Sequence, residues 1–345
     1  EETTVPHPGP PRKRGGSPLP PVYGGTEGGT SSTGGLRGGN EENKAADEAA
    51  YPKNKENTNM SIQEMGRRAF LGAASIAAAG MASPQNVFAQ AETTKPRIGL
   101  ILYTLREYMK TADDMARTLE RVREIGYEYV QLAGWEPLTA KDMAKLLKQN
   151  GLTPVASHTG WDALNKDMQK IVDDHKELGC TQLGGGMPER YRSAQGYVDY
   201  AKETVEMCKK LAEFGMTFSY HNHSYEFTHY EGKAGEQILI DCCVPNSYYF
   251  EIDVYWVQHG GGDPAQWIRK VKGRVPTVHV KDMVIFEDKQ TFAEVGEGNL
   301  NWKSILKACE VSGVKYCIVE QDTCQRDPFE SIAISLKNMK TMGLT

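Results

Sequence analysis

Three polar residues sit inside apolar, strand-like runs, where an isolated charge would be costly to bury. Asp253 lies in Phe250-Glu251-Ile252-Asp253-Val254-Tyr255-Trp256, His279 in Val278-His279-Val280-Lys281-Asp282, and Glu320 in Ile318-Val319-Glu320-Gln321-Asp322. Carboxylate and imidazole donors with open positions suit one divalent cation: Mn²⁺ first, then Mg²⁺, Co²⁺ or Zn²⁺. Taken singly, each residue has a plainer reading. Asp253 would cap the next segment, His279 would be a satisfied core histidine, and Glu320 would pair with a lysine such as Lys281. Taken together, at the ends of three successive strands, they are expected to hold a metal.

A second cluster is Tyr220-His221-Asn222-His223-Ser224-Tyr225-Glu226. Two histidines two apart on a strand face the same way. They would point into one cavity, or His223 would already lie in the loop. His158 and Glu136, at the ends of the third and second runs, would reach the same cavity, as would Glu226, Lys281 and Trp256, all as substrate contacts. His175, His229 and His259 have no such placement and receive no role.

The elements that must position these groups form an eightfold beat. Apolar, β-branched runs recur at Arg97–Leu105, Tyr127–Gly134, Thr153–Gly160, Cys180–Gly186, Met216–His223, Tyr248–Trp256, Val275–Met283 and Tyr316–Asp322. Amphipathic segments of helical period separate them. Gly126 closes the helix that begins at Thr111, and Thr139 caps Ala140–Gln149. Asn165–Leu178 reads as one helix ending at Gly179. Asp263-Pro264 and Asp327-Pro328 each open a helix with a cap followed by proline. Eight such units predict an α/β chain closed into a (β/α)8 TIM barrel, whose chemistry sits at the C-terminal strand ends. Residues 92–345 match the roughly 250 residues of one barrel. No Gly-x-Gly-x-x-Gly follows the first strand, which argues against a dinucleotide fold.

The rest of the chain differs in composition. Residues 1–59 are rich in Gly, Pro, Ser, Thr and charge, and read as a disordered leader or the product of a start placed too far upstream. Gly66-Arg67-Arg68-Ala69-Phe70-Leu71 matches a twin-arginine export signal, and Ala89-Gln90-Ala91 a cleavage site, so residues 60–91 predict export to the periplasm. The seven cysteines include no Cys-x-x-Cys pair and read as small core residues. The net charge of −5, with no basic run in the barrel region, argues against nucleic acid as a partner. A small carbohydrate is expected instead. Arg326 is a lone candidate for a phosphate contact, and export favours an unphosphorylated substrate.

Five motifs carry a family resemblance over Arg97 to the C-terminus. They are Tyr-His-Asn-His-x-Tyr-Glu-Phe at 220–227, Ile-Asp-Val-Tyr-Trp at 252–256, Val-His-Val-Lys-Asp at 278–282, Gly-Glu-Gly at 296–298 and Val-Glu-Gln-Asp at 319–322. In set and order the chain resembles the xylose-isomerase-like TIM-barrel superfamily, and within it exported proteins labelled sugar phosphate isomerase/epimerase. In the ketose epimerases of that group Glu, Asp, His and Glu from strands 5 to 8 hold the metal. Asp253, His279 and Glu320 match the last three. The fifth-strand Glu is replaced by Tyr220 or His221, leaving His221, His223 and Glu226 as candidates for the fourth ligand. The resemblance implies a metal-dependent sugar isomerase or epimerase working through an enediolate. Glu320 would be the base, and His223, titrating near its ordinary value, the opposing acid–base group. A lyase or dehydratase on a keto-sugar or 3-keto-glycoside and a non-catalytic sugar-binding barrel are the alternatives.

Overall fold

The computed structural model describes residues 95–243 and 248–345. The expected leader and export signal lie outside the described residues. Eight parallel strands close a barrel: β1 (Arg97–Ile101), β2 (Tyr129–Leu132), β3 (Thr153–His158), β4 (Gln182–Gly185), β5 (Thr217–His221), β8 (Tyr249–Asp253), β9 (Thr277–Val280) and β12 (Tyr316–Val319), which returns to β1. The expected TIM barrel is what the chain forms.

Helices follow the strands and cover them. α1 (Ala112–Ile125) is capped by Thr111 and stopped by Gly126 at φ 111°, and α2 (Ala140–Gln149) is capped by Thr139. The segment read as one helix from Asn165 is two, α3 (Trp161–Lys166) and α4 (Met168–Leu178). Asp167 leaves helical geometry at φ −151° and accepts from the Lys170 N–H, so a capping carboxylate divides the run. α5 (Ala194–Glu213) and α6 (Gly235–Cys242) flank β5, and α7 (Val254–His259) begins directly on Asp253. α8 (Pro264–Lys270), α9 (Trp302–Ser312) and α10 (Pro328–Thr341) complete the outer layer. The seven cysteines are unpaired and five are buried, as expected of core residues.

Two short hairpins interrupt the beat after strands that reach the mouth. One is β6 (His229–Tyr230) with β7 (Lys233–Ala234); the other is β10 (Asp282–Phe286) with β11 (Lys289–Ala293). The run read as a single strand from Val275 to Met283 therefore ends at Val280 and restarts as β10. Asp282 explains the break. Its fully buried carboxylate accepts from the N–H groups of Met283, Gly296, Gly298 and Leu300 and from Trp302 Nε1. A Cβ on Gly298 would come within 2.4 Å of both Asp282 Oδ1 and the Met283 carbonyl, so the Gly-Glu-Gly turn exists to close on this carboxylate.

Register fixes the mouth. His221 is paired with Glu251, Asp253 with His279, and Val319 with Val280, which brings Glu320 level with Lys281. Because side chains alternate along a strand, Glu251 and Asp253 share the interior face, as do His279 and Lys281.

Candidate metal centre

Four side chains converge at the C-terminal end of the barrel. One donor atom from each of His221, Asp253, His279 and Glu320 lies within 4.8 Å of the others. His221 Nε2 is 3.2 Å from Asp253 Oδ2, and His279 Nδ1 is 4.0 Å from that oxygen and 2.7 Å from Glu320 Oε2. All four are buried. Asp253 also caps α7, its Oδ1 accepting from the Trp256 N–H, while its Oδ2 faces the cluster. The Asn222 side chain fixes the strand end by accepting from the Asp253 N–H.

The fifth-strand position resolves to His221. Tyr220 points outward, its hydroxyl donating to Glu226 Oε1. Glu226 is buried away from the cluster, and its Oε2 accepts from the His223 N–H. The structure therefore does not bring Glu226 to the donor set, because its oxygens tie the loop after β5 to Tyr220 of that strand. Burial pushes its carboxyl up to about 7.

Beneath the donors lies a polar layer that the sequence reading missed. Glu251 is fully buried and accepts from Gln131 Nε2 at 3.1 Å and Thr277 Oγ1 at 2.7 Å; His158 Nε2 lies 2.6 Å from its Oε2. Burial works against its charge, but His279 and His158 hold its carboxyl well below the usual range. His279 Nε2 is 2.8 Å from Gln131 Oε1 and 3.3 Å from Glu251 Oε2. The signal was available: Glu251 stands two residues before Asp253, and Gln131 is a polar residue inside Val130-Gln131-Leu132. His158 thus reaches the cavity as expected, stacked 5.2 Å from the His279 ring, and serves this layer.

Lys281 adds a cation. Its Nζ is 2.6 Å from Glu320 Oε2, 3.0 Å from Asp253 Oδ2 and 2.8 Å from Asp322 Oδ2, and it is fully buried. The pairing of Glu320 with Lys281 is present, together with the convergence. Burial opposes ionisation of Glu320, but Lys281 and His279 outweigh it and keep its carboxyl well below the ordinary range. Burial lowers the His279 imidazole, yet Glu251 and Glu320 more than offset this and lift it to about 10.

These residues fit a divalent cation by the chemistry of the donor set. Asp253, Glu320, Asp322 and Glu251 gather four carboxylates in the mouth around Lys281 and His279, more than those two cations balance when all four are ionised. Gln131 and Glu251 engage His279 through Nε2 and turn Nδ1 toward the carboxylates, where it would give up its proton as a cation binds, since a ligating imidazole is neutral. His221 is held neutral, well below its usual range, by burial and by neighbouring His279 and His158, as a ligand must be.

His223 and Trp256 line one wall. The His223 ring stacks on Tyr225 at 5.4 Å and lies 5.8 Å from Trp256, and Gly186 leaves room for it, since a Cβ there would sit 3.3 Å from His223 Cε1. Unshifted titration of His223 is not what the surroundings give. Burial and the adjacent His221 push it down to about 3. The Trp256 indole N–H is buried without a protein partner among the described residues. Glu136 is exposed on the far rim, beside a cleft of about 140 Å³ lined by Leu102, Tyr103, Arg106 and Trp135, and is not brought to the donors. Arg326 is committed to Glu294 at 3.2 Å and is not a free phosphate contact.

The fold has solved relatives. A sugar phosphate isomerase/epimerase from Parabacteroides distasonis is 23% identical with a TM-score of 0.61, over 75% of this chain and 98% of that one. The probable 3-DHS dehydratase AsbF from Bacillus anthracis is 13% identical with a TM-score of 0.56, over 71% and 98%. The IolI protein, solved with a zinc atom, is 12% identical with a TM-score of 0.55, over 71% and 97%. No curated protein matches the chain at a significant level. The family model described as xylose isomerase-like TIM barrel matches residues 119–342. With that match over most of its length, the chain belongs to the xylose isomerase-like TIM barrel family.

Proposed function

We propose that the chain is a divalent-metal-dependent sugar isomerase or epimerase acting through an enediolate on a sugar or keto-sugar. The observation that carries this reading is the convergence of His221, Asp253, His279 and Glu320 from four successive barrel strands. A cation held by these four would supply a Lewis acid for the negative charge that develops when a proton leaves the carbon beside a carbonyl. Mn²⁺ is the first candidate, and the zinc in IolI supports a metal in this fold.

The chain's own groups divide the remaining work. Glu320 is ionised, and its contacts with His279 and Lys281 both fall on Oε2, so Oε1 is the oxygen that takes the proton. His223, neutral and lining the other wall, would relay a proton or hydrogen-bond a sugar hydroxyl on the opposite side rather than hold a proton, since burial and His221 push it down to about 3. Trp256, with His223, offers an apolar wall to a sugar ring. Gln131 and Glu251 hold the His279 ring in one orientation.

A lyase or dehydratase on a keto-sugar or 3-keto-glycoside is the second reading. It is favoured by the imidazole of His221 where a two-carboxylate epimerase carries a fifth-strand Glu, and it agrees with a dehydratase among the structural relatives. Incubation of the Mn²⁺-loaded chain in deuterated water with free ketoses and 3-keto-glycosides tests both. Deuterium at the carbon beside the carbonyl supports the enediolate, and loss of water or aglycone selects the lyase. Absence of exchange and of products throughout the panel would leave a sugar-binding barrel.

Export to the periplasm belongs to the same proposal, on the twin arginine at 67–68. Replacing both by Lys should hold the chain in the cytoplasm; unchanged export would contradict it.

A further inference from the structure

Lys281 sets an ammonium beside the imidazole of His279 on the donor carboxylates, and it contacts the same oxygens that face the metal position. Asp253 Oδ2 lies 3.2 Å from His221 Nε2 and 3.0 Å from Lys281 Nζ; Glu320 Oε2 lies 2.7 Å from His279 Nδ1 and 2.6 Å from Lys281 Nζ. The third partner, Asp322 Oδ2 at 2.8 Å, belongs to no donor pair, and its side chain is 28% exposed. The rings of Trp256 and Phe292 lie 5.6 and 5.9 Å from the ammonium. Lys281 is thus a buried point charge with two shared anchors and one of its own.

We propose that Lys281 is a built-in competitor of the divalent cation: it shares Asp253 and Glu320 with the ion, retreats onto Asp322 as the ion binds, and so sets how tightly the metal is held. The proposal rests on the metal reading above. Like charges a few ångströms apart in a buried site repel strongly, so the ammonium weakens binding of a second cation. Removing it leaves Asp253 and Glu320 uncompensated, which destabilises the metal-free chain and makes metal binding more favourable.

Titration calorimetry with Mn²⁺ on chelator-stripped protein tests this, with thermal melting in parallel. Lys281→Met should bind Mn²⁺ at least about tenfold more tightly than the wild type. The variant should melt lower without metal and gain more on addition of Mn²⁺. Lys281→Arg, which keeps the charge, should stay near the wild-type affinity. Equal or weaker binding by Lys281→Met, with normal binding by the wild type, overturns the competitor role and leaves the metal reading intact. Failure of both proteins to bind Mn²⁺ overturns both. Asp322→Asn keeps the proposal falsifiable should Lys281→Met not fold. With its own anchor gone, Lys281 should hold the shared oxygens harder and Mn²⁺ affinity should fall by about threefold or more. Unchanged or tighter binding in that variant counts against the proposal.

Discussion

Asp282 and the Asp253–Glu320 pair are buried carboxylates at the same end of the barrel, and they are satisfied in different ways. Asp282 is held by four backbone N–H groups and an indole, all neutral and fixed in place by the chain. Asp253 and Glu320 lean on an ammonium and two imidazoles, groups that can move or exchange protons. Neutral, rigid donors make a structural anchor for the turn at 296–302. Ionisable side-chain partners make a site that accepts another cation or passes a proton. Burial and charge type are common to both; the nature of the partners separates scaffold from chemistry.

Removing the anchor should cost the fold most. Asp282→Ala strands several buried donors at once and should lower stability by about 4 kcal/mol or more, read by denaturant unfolding. A loss under about 1 kcal/mol would erase the distinction.

Glu320→Gln should leave the barrel folded and reduce deuterium exchange beside the carbonyl by at least about a hundredfold. Wild-type exchange in a variant shown to retain its metal would remove Glu320 as the base. His223→Ala should slow turnover by about tenfold while exchange at the Glu320 side persists in part. Equal loss of both would place His223 on the same proton path.

Glu226 sharpens the contrast from a third side, being a buried carboxylate with neutral donors but a carboxyl raised from 4.5 to about 7. The folded chain binds this proton more tightly than the unfolded chain. Its contribution to stability is therefore fully present below about pH 4.5 and lost as pH rises through about 7. Glu226→Gln should gain on the wild type by roughly 3 kcal/mol between those limits, measured by unfolding across the pH range. A gap that stays flat with pH would show that Glu226 is ionised throughout.

The barrel was legible because its signal is periodic: eight apolar runs, caps such as Thr139 and Asp263-Pro264, and glycines at helix ends all fall where the structure needs them. The hairpin at 282–293 was not, because β10 continues the apolar pattern of β9, and only the distant turn at 296–302 explains the break at Lys281. Asp167 was missed as a divider because a carboxylate inside a helical period reads as a surface residue until its cap bond is seen. Asp253, His279 and Glu320 stood out as polar groups in apolar runs, and their convergence follows from strand register. Glu251 and Gln131 carried the same signal more weakly, since a layer below the mouth has no loop to mark it. The partners of Glu226 and Arg326 are set by side-chain direction, which strand-end position alone does not give.

The four donors must act together to hold a cation, and metal content tests that most directly. Protein purified after growth with Mn²⁺ should carry about one divalent ion per chain. Asp253→Ala and His279→Ala should each lose it while the far-ultraviolet circular dichroism of the barrel is unchanged. Full metal content in both variants, or none in the wild type at saturating Mn²⁺, would contradict the metal centre.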